Sequence, residues 1–504
     1  MRAILLAWAL RILCLSKSPV STTKKGIIVI QIDGVSYESI TQAIKRGYCP
    51  FFRELQKKGY ALNKYFCGIP SITTATEALL MYGNRDDIPG FSWFDRKEGI
   101  FIRGGWGSSM RRFEERRFGA ISRPLFQNGS CIIGAYSGGA TLTNFSAKSL
   151  DISSLRASIL KFRILLVPFL NPYRFWRMNI LIVGYSVLSV LGAIKRRSMH
   201  FFKSTMSELL MRIFLTDLAS SIAHIELWRD TPALFINFSM FDKVVHEHGT
   251  DHPMAYQVVS LTSIYCKKLY ESSLKSKRQY EFILYADHGQ SDALPFEEVS
   301  TLSLVDVVAE AIDDPTRSVL LTFGNDKPIE ENLTSNTIFL VPSSSIVNVY
   351  FSESLKKPLD RASIEKKYPK LLSSLLTSRG IGWILVRDER RQRLIGKHGS
   401  LVFEKGHVVD RRGDPMQGAS DEPQTLVSLA RFAQYESIGD IVLFGAVIDG
   451  KSIAFEDFHG THGGFTGPMV WPFLMTNSAK LTKILELSNS TEHIFKTIRS
   501  LRDY

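Results

Sequence analysis

Runs of six to eight apolar residues, rich in β-branched types, recur along the chain. They are 26–32 (GIIVIQI), 233–239 (ALFINFS), 281–286 (EFILYA), 337–342 (TIFLVP), 346–351 (IVNVYF), 382–387 (GWILVR) and 440–447 (DIVLFGAV). Each has strand length and is apolar at both odd and even positions, the pattern of a strand covered on both faces. Stretches with helical spacing lie between several of them: about Tyr37 to Lys58, 205–227 and 255–275. Buried strands alternating with helices predict an α/β fold built on a mostly parallel sheet flanked by helices.

Two apolar segments do not fit that alternation. Residues 3–14 (AILLAWALRILC) are interrupted by Arg11 and read as a signal-peptide core, an interfacial anchor or an ordinary helix. Residues 178–194 (MNILIVGYSVLSVLGAI) sit between Arg174 and Arg177 on one side and Lys195 to Arg197 on the other. At about 1.5 Å per residue this run is marginal for a bilayer core of about 30 Å. A single crossing would also place candidate site residues on opposite sides of a membrane. The expectation is therefore a re-entrant hairpin with 163–176, an interfacial helix or a helix packed on protein, with membrane-surface association favoured. Residues 388–425 are charged and weakly periodic, and read as a small cap or a flexible excursion.

Composition narrows the partners. At 504 residues with 45% hydrophobic and 22% charged positions, the chain can bury a large core, which excludes wholesale disorder. A formal charge of +13 favours acidic partners such as phosphorylated substrates or an anionic surface, and no nucleic-acid-binding motif is present. The five cysteines, Cys14, Cys49, Cys67, Cys131 and Cys266, are widely spaced without a CxxC pair. That spacing argues against a disulfide framework or a thiolate metal site.

The chemistry-bearing residues cluster just past the predicted strands, where open α/β sheets bind ligands. Asp33 follows the first run; Asp242 and His246 follow the second, four residues apart; Asp287 and His288 follow the third. Thr73 lies in PSITTAT (70–76) and His462 in HGTHGG (459–464). Carboxylates and imidazoles are the ligands zinc takes when thiolates are absent. Three of each could hold two cations, an arrangement suited to in-line phosphoryl displacement. A threonine hydroxyl is protonated at neutral pH and needs such activation to attack. Each element has an ordinary alternative: a turn for Asp33-Gly34, a helix cap for the threonines, a solvated pair for Asp242 and His246.

The ordered set QIDG (31–34), CPFFRELQKKG (49–59), PSITTATEALLMYG (70–83), FDKVVHEHG (241–249), YADHGQ (285–290) and THGG (461–464) resembles the type I phosphodiesterase/nucleotide pyrophosphatase branch of the alkaline phosphatase superfamily. The phrases DDIPGFSWFD (86–95), LNPY (170–173), GIGWILVR (380–387) and FEDFHGTHGG (455–464) look like a phosphatase-like subgroup within it. The resemblance implies an alkaline-phosphatase-like fold and a hydrolase of phosphodiesters or phosphomonoesters that uses two divalent metal ions, zinc by preference. It implies Asp33, Thr73, Asp287 and His288 at one metal and Asp242, His246 and His462 at the other. Thr73 would be the nucleophile that forms a phosphoenzyme. The hydrolase domain would comprise 24–149 and 206–504, preceded by an apolar segment over 1–23 and interrupted by an apolar, basic insertion over 150–205.

Two departures bear on substrate. Thr76 stands three residues after Thr73, where nucleotide pyrophosphatases carry asparagine, so nucleotide specificity is not implied. Cys49-Pro50-Phe51-Phe52-Arg53 lacks the spacing of a sulfatase nucleophile. Thr74 and Thr76 compete with Thr73, His248 and His252 with His246, and His459 with His462. Phe91, Trp93 and Phe94 read as substrate-stacking or core aromatics, and Lys243 as a phosphate-steering or solvated cation. The same residues also permit phospho-group transfer to an alcohol, or a non-catalytic binding protein.

Overall fold

The computed structural model describes residue 18 and residues 21–105, 107–146, 199–323, 336–488 and 490–502, with the isolated positions 173, 176, 180, 183, 184 and 187. The apolar segment expected at 3–14, and most of the one at 178–194, lie outside the described residues. Among the described residues, no helix is long and apolar enough to cross a membrane.

The central sheet has seven strands: β1 (Gly26–Ile32), β2 (Ala61–Lys64), β3 (Ser130–Ile132), β4 (Leu142–Asn144), β5 (Ala233–Phe238), β6 (Tyr280–Tyr285) and β7 (Phe473–Thr476), in the order β2-β7-β6-β1-β5-β3-β4. β1 runs parallel to both β5 and β6, and β3 is parallel to β5 and β4; only β7 runs against the others, antiparallel to both β6 and the edge strand β2. Every residue of β1 is buried. Ile27 and Val29 enter one core while Ile28, Ile30 and Ile32 enter the other, which is the period of two that a doubly covered strand requires. Burying each such side chain contributes about 1.5–3 kcal/mol.

One face is covered by α1 (Tyr37–Lys45), α2 (Pro50–Lys57) and the long helices α4 (Met199–Trp228), α5 (Met240–His248) and α6 (Pro253–Ser273). The other face receives α3 (Thr73–Tyr82). The continuous helix expected from Tyr37 to Lys58 is thus two helices. Gly47 takes a left-handed backbone at φ 83°, and Pro50 starts α2 at its first turn, where its missing N–H is not needed.

The apolar runs at 337–342, 346–351, 382–387 and 440–447 build a second, eight-stranded sheet rather than extending the first. All its neighbouring strands are antiparallel except Ser318–Leu321 against Thr337–Ser343. The tight connection Ser344-Ser345 explains the first antiparallel pair, since only hairpins close so short a gap. Residues 391–413, expected as a cap or excursion, form three strands of this sheet (Arg391–Gly396, Gly399–Glu404, His407–Gly413).

Candidate metal centre

Three strand ends, the start of α3 and the loop around His462 supply the site. Asp33 leaves β1, and Gly34 turns the chain away with φ 74°. Asp33 is only 6% exposed; its Oδ2 accepts a 2.9 Å hydrogen bond from Asn237 Nδ2 on neighbouring β5. Asp287 follows β6 and is fully buried, with Oδ1 accepting from the Gly34 amide at 3.3 Å. Parallel pairing of β1 and β6 in register sets these two carboxylates side by side.

Thr73 is the first residue of α3, directly after Ile72 in extended conformation. Its Oγ1 lies 3.2 Å from His288 Nε2. Of the competing threonines, Thr74 points elsewhere, its Oγ1 donating to the Gly90 carbonyl at 2.9 Å, and Thr76 is fully buried with no hydrogen-bond partner for its Oγ1. Asp242 and His246 meet across one turn of α5, with Oδ2 3.4 Å from Nε2. His462 brings its Nε2 to 3.7 Å from Asp242 Oδ1.

All three imidazoles are oriented the same way. Nδ1 faces a backbone carbonyl in each: Gly460 at 2.7 Å for His246, Gly289 at 3.0 Å for His288 and Ser71 at 3.0 Å for His462. A carbonyl can only accept, so Nδ1 carries the proton and Nε2 keeps its lone pair for the centre. The rings of His288 and His462 stack at 3.8 Å between centroids, and Phe458 lies 4.1 Å over His246.

Burial lifts Asp33 well above the usual carboxylate range, and the neighbouring charges of Asp287 and Asp242 add to the rise. Burial likewise pushes Asp287 up to about 7. Burial acts the same way on Asp242, but His246 and His462 outweigh it and hold that carboxyl well below its ordinary range. Burial, joined by repulsion from His288, lowers His462 strongly. A site that raises two carboxylates by crowding them together is one that a cation would relieve.

The donor set fits divalent ions. Asp242, His246 and His462 offer ligand atoms within 4.8 Å of one another, and so do Asp33, Asp242 and His288. Asp33 Oδ1 and Asp287 Oδ2 are buried with no hydrogen-bond donor, and lie 3.7 Å and 3.4 Å from His288 Nε2. Buried carboxylate oxygens left without donors point to a missing positive partner. Thus the structure brings together Asp33, Thr73, Asp242, His246, Asp287, His288 and His462.

The other candidates stay apart. His248 and His252 stack on each other at 4.6 Å and, with His459, line a separate cleft of about 500 Å³. Trp93 and Phe94 are core residues, whereas Phe91 is half-buried. Lys243 pairs with Glu247 at 3.3 Å. Sequence reasoning missed Asn237, Gln290 and Phe458. Asn237 does leave a trace, as the one polar interruption in the buried run ALFINF.

No family model matches the chain, and no curated protein matches it in sequence. Among solved structures, phosphonoacetate hydrolase from Sinorhizobium meliloti 1021 in complex with phosphonoacetate superposes with a TM-score of 0.52 at 14% identity, covering 97% of this chain and 100% of that one. Human ectonucleotide pyrophosphatase/phosphodiesterase 5 is also similar, with a TM-score of 0.45 at 11% identity over 90% of this chain and 87% of that one. The superposition on phosphonoacetate hydrolase, spanning nearly the whole chain, establishes an alkaline-phosphatase-like α/β fold for this protein.

Proposed function

We propose that the protein is a metal-dependent hydrolase of the alkaline phosphatase superfamily that cleaves phosphodiesters or phosphomonoesters through Thr73. The observation that carries this reading is the meeting of three Nε2 lone pairs, three carboxylates and the Thr73 hydroxyl around donor-free oxygens. Asp33, Thr73, Asp287 and His288 would hold one divalent cation, and Asp242, His246 and His462 the other, with Asp242 within ligand reach of both. Zinc suits this nitrogen and oxygen donor set. Such ions, when bound, favour the ionised threonine hydroxyl and neutralise charge on the phosphoryl oxygens.

Within that frame, Thr73 Oγ1 attacks phosphorus, the ester oxygen leaves with the bonding pair, and a phosphothreonine forms. Water hydrolyses it in the second half-reaction. An acceptor alcohol in place of water would make the same site a transferase. Asn237 and the Gly34 amide hold the two rear carboxylates still. The hydrogen bonds from Nδ1 fix the imidazoles before substrate arrives.

The test is a panel of aryl phosphate monoesters and diesters, with metal analysis on the same sample and an added alcohol in one arm. Turnover of either ester with about two bound ions per chain supports the reading. Metal-free protein without activity after zinc addition would sink it, and transfer product exceeding hydrolysis would move the assignment to transferase.

We also propose a membrane-facing placement. Tyr173, Trp176, Ile180, Val183 and Val187 are helical positions with 53–75% of their surface exposed, at spacings of three or four residues. A stripe of that kind, with Arg174 and Arg177 interleaved near its start, suits a bilayer interface. Deleting residues 175–197 should release the protein from membranes; unchanged fractionation would refute the placement.

A further inference from the structure

Gln290 is 1% exposed and belongs to none of the ligand groups. Its Nε2 lies 3.0 Å from the Asp242 carbonyl and 2.5 Å from Asp242 Oδ1. An amide nitrogen has two hydrogens, so both are spent on the backbone and the side chain of one residue. That double tie fixes Asp242 against rotation about its side-chain bonds. It also occupies one lone pair of Oδ1 while leaving Oδ2 turned toward His246.

Two glycines make room for the amide. A Cβ at Gly34 would fall 2.9 Å from Gln290 Nε2 and 2.8 Å from Asp242 Oδ1, and a Cβ at Gly460 would fall 2.8 Å from Gln290 Oε1. Both glycines admit the amide by lacking a side chain. Gln290 Oε1 itself is buried without a donor. An unmet buried acceptor is destabilising, and an apolar side chain of similar length would avoid it. The amide is thus a poor choice for packing and a good one for holding a carboxylate.

We propose that Gln290 is a positioning residue for the cation pair: it holds Asp242, the carboxylate common to both ligand groups, in a single orientation. This inference rests on the two-cation reading above. Loss of the amide would free Asp242 to rotate and weaken one ion more than the other.

Gln290→Leu and Gln290→Met test it, titrated with Zn²⁺ after chelator treatment and followed by calorimetry and by melting of the metal-free protein. Removing an outer partner of a ligand typically costs about 10–100-fold in metal affinity. The expected result is that loss at one of two ions, in protein that still melts cooperatively without metal. Wild-type affinity for both ions in both variants would overturn the inference while leaving the hydrolase reading intact. Equal loss of affinity at both ions in both variants would overturn it too, by making Gln290 a packing residue. Wild-type protein that binds no Zn²⁺ would overturn the two together.

Discussion

Thr73 Oγ1 and His288 Nε2 lie 3.2 Å apart, although 215 residues separate them in the chain. The contact places the Thr73 hydroxyl against an imidazole at the start of a helix, where unpaired backbone amides favour negative charge. Thr73→Ala should reduce aryl phosphate turnover on the order of 10⁴-fold or more, as loss of a nucleophile does elsewhere. Metal content should stay near wild type. Thr74→Ala removes a buried hydrogen bond to Gly90 and should cost about 1 kcal/mol of stability with little change in turnover. Equal activity in Thr73→Ala and wild type would place the nucleophile elsewhere.

Asp242 appears in both ligand groups, so its loss should be felt at both ions. Asp242→Ala is expected to bind fewer than one ion per chain, whereas His462→Ala should retain the Asp33/Asp287/His288 ion. Elemental analysis of the two purified variants decides the matter. Identical stoichiometry in both would break the assignment of Asp242 as the shared ligand.

Asn237 donates to Asp33 and is itself outside the ligand groups. Asn237→Leu should therefore lower metal affinity by about 10–100-fold without changing the ligand count, because a second partner of a ligand is lost. The chelator concentration needed to strip half the metal is the measurement. An unshifted stripping curve would show that Asp33 needs no such support.

The raised carboxylates set the pH response of the metal-free protein. Burial moves Asp287 from its ordinary value near 3.8 up to about 7. Between those values the folded chain holds a proton that the unfolded chain has released, so stability falls as pH rises. This is opposite in sign to the usual salt-bridged carboxylate. Chelator-treated protein should lose more melting temperature from pH 5 to pH 8 than Asp287→Asn does, a comparison in which the opposing effect of His462, held neutral by burial, cancels. A slope of the same size in Asp287→Asn would assign the effect to other groups.

Gly34 turns the chain directly behind Asp33 in the left-handed region, and a side chain there would collide with Asp242 and Gln290. Gly34→Ala should cost about 1–2 kcal/mol from the backbone alone, with the collision added. Metal binding should fall with it. Retention of both ions with an unchanged melting temperature would mean the loop yields freely.

Much of this was legible before any coordinates. The three buried runs that end at Asp33, Phe238 and Asp287 carry a clear strand signal, and position past a strand is what selects ligands from ordinary turns. Register is harder. Nothing in TIFLVP or GWILVR tells whether the strand joins the first sheet or a second one, because pairing is decided by partners far along the chain. The hairpins of 391–413 were hidden by their charge: the strand His407–Gly413 is exposed over most of its length, so it never shows the alternation that marks a buried face. Gln290 was invisible for a different reason. A buried amide has no periodic signature, and its role exists only once Asp242, 48 residues earlier, is folded against it.

The carbonyl of Ser71 receives the proton of His462 across 391 residues, and Ser71 also forms an antiparallel bridge with Gly463. The turn that carries Thr73 is therefore clasped by a loop 391 residues further along the chain. On the proposed reading, a nick between positions 413 and 460 that let the distal fragment drift away would abolish activity, with Asp33 and Thr73 still in place.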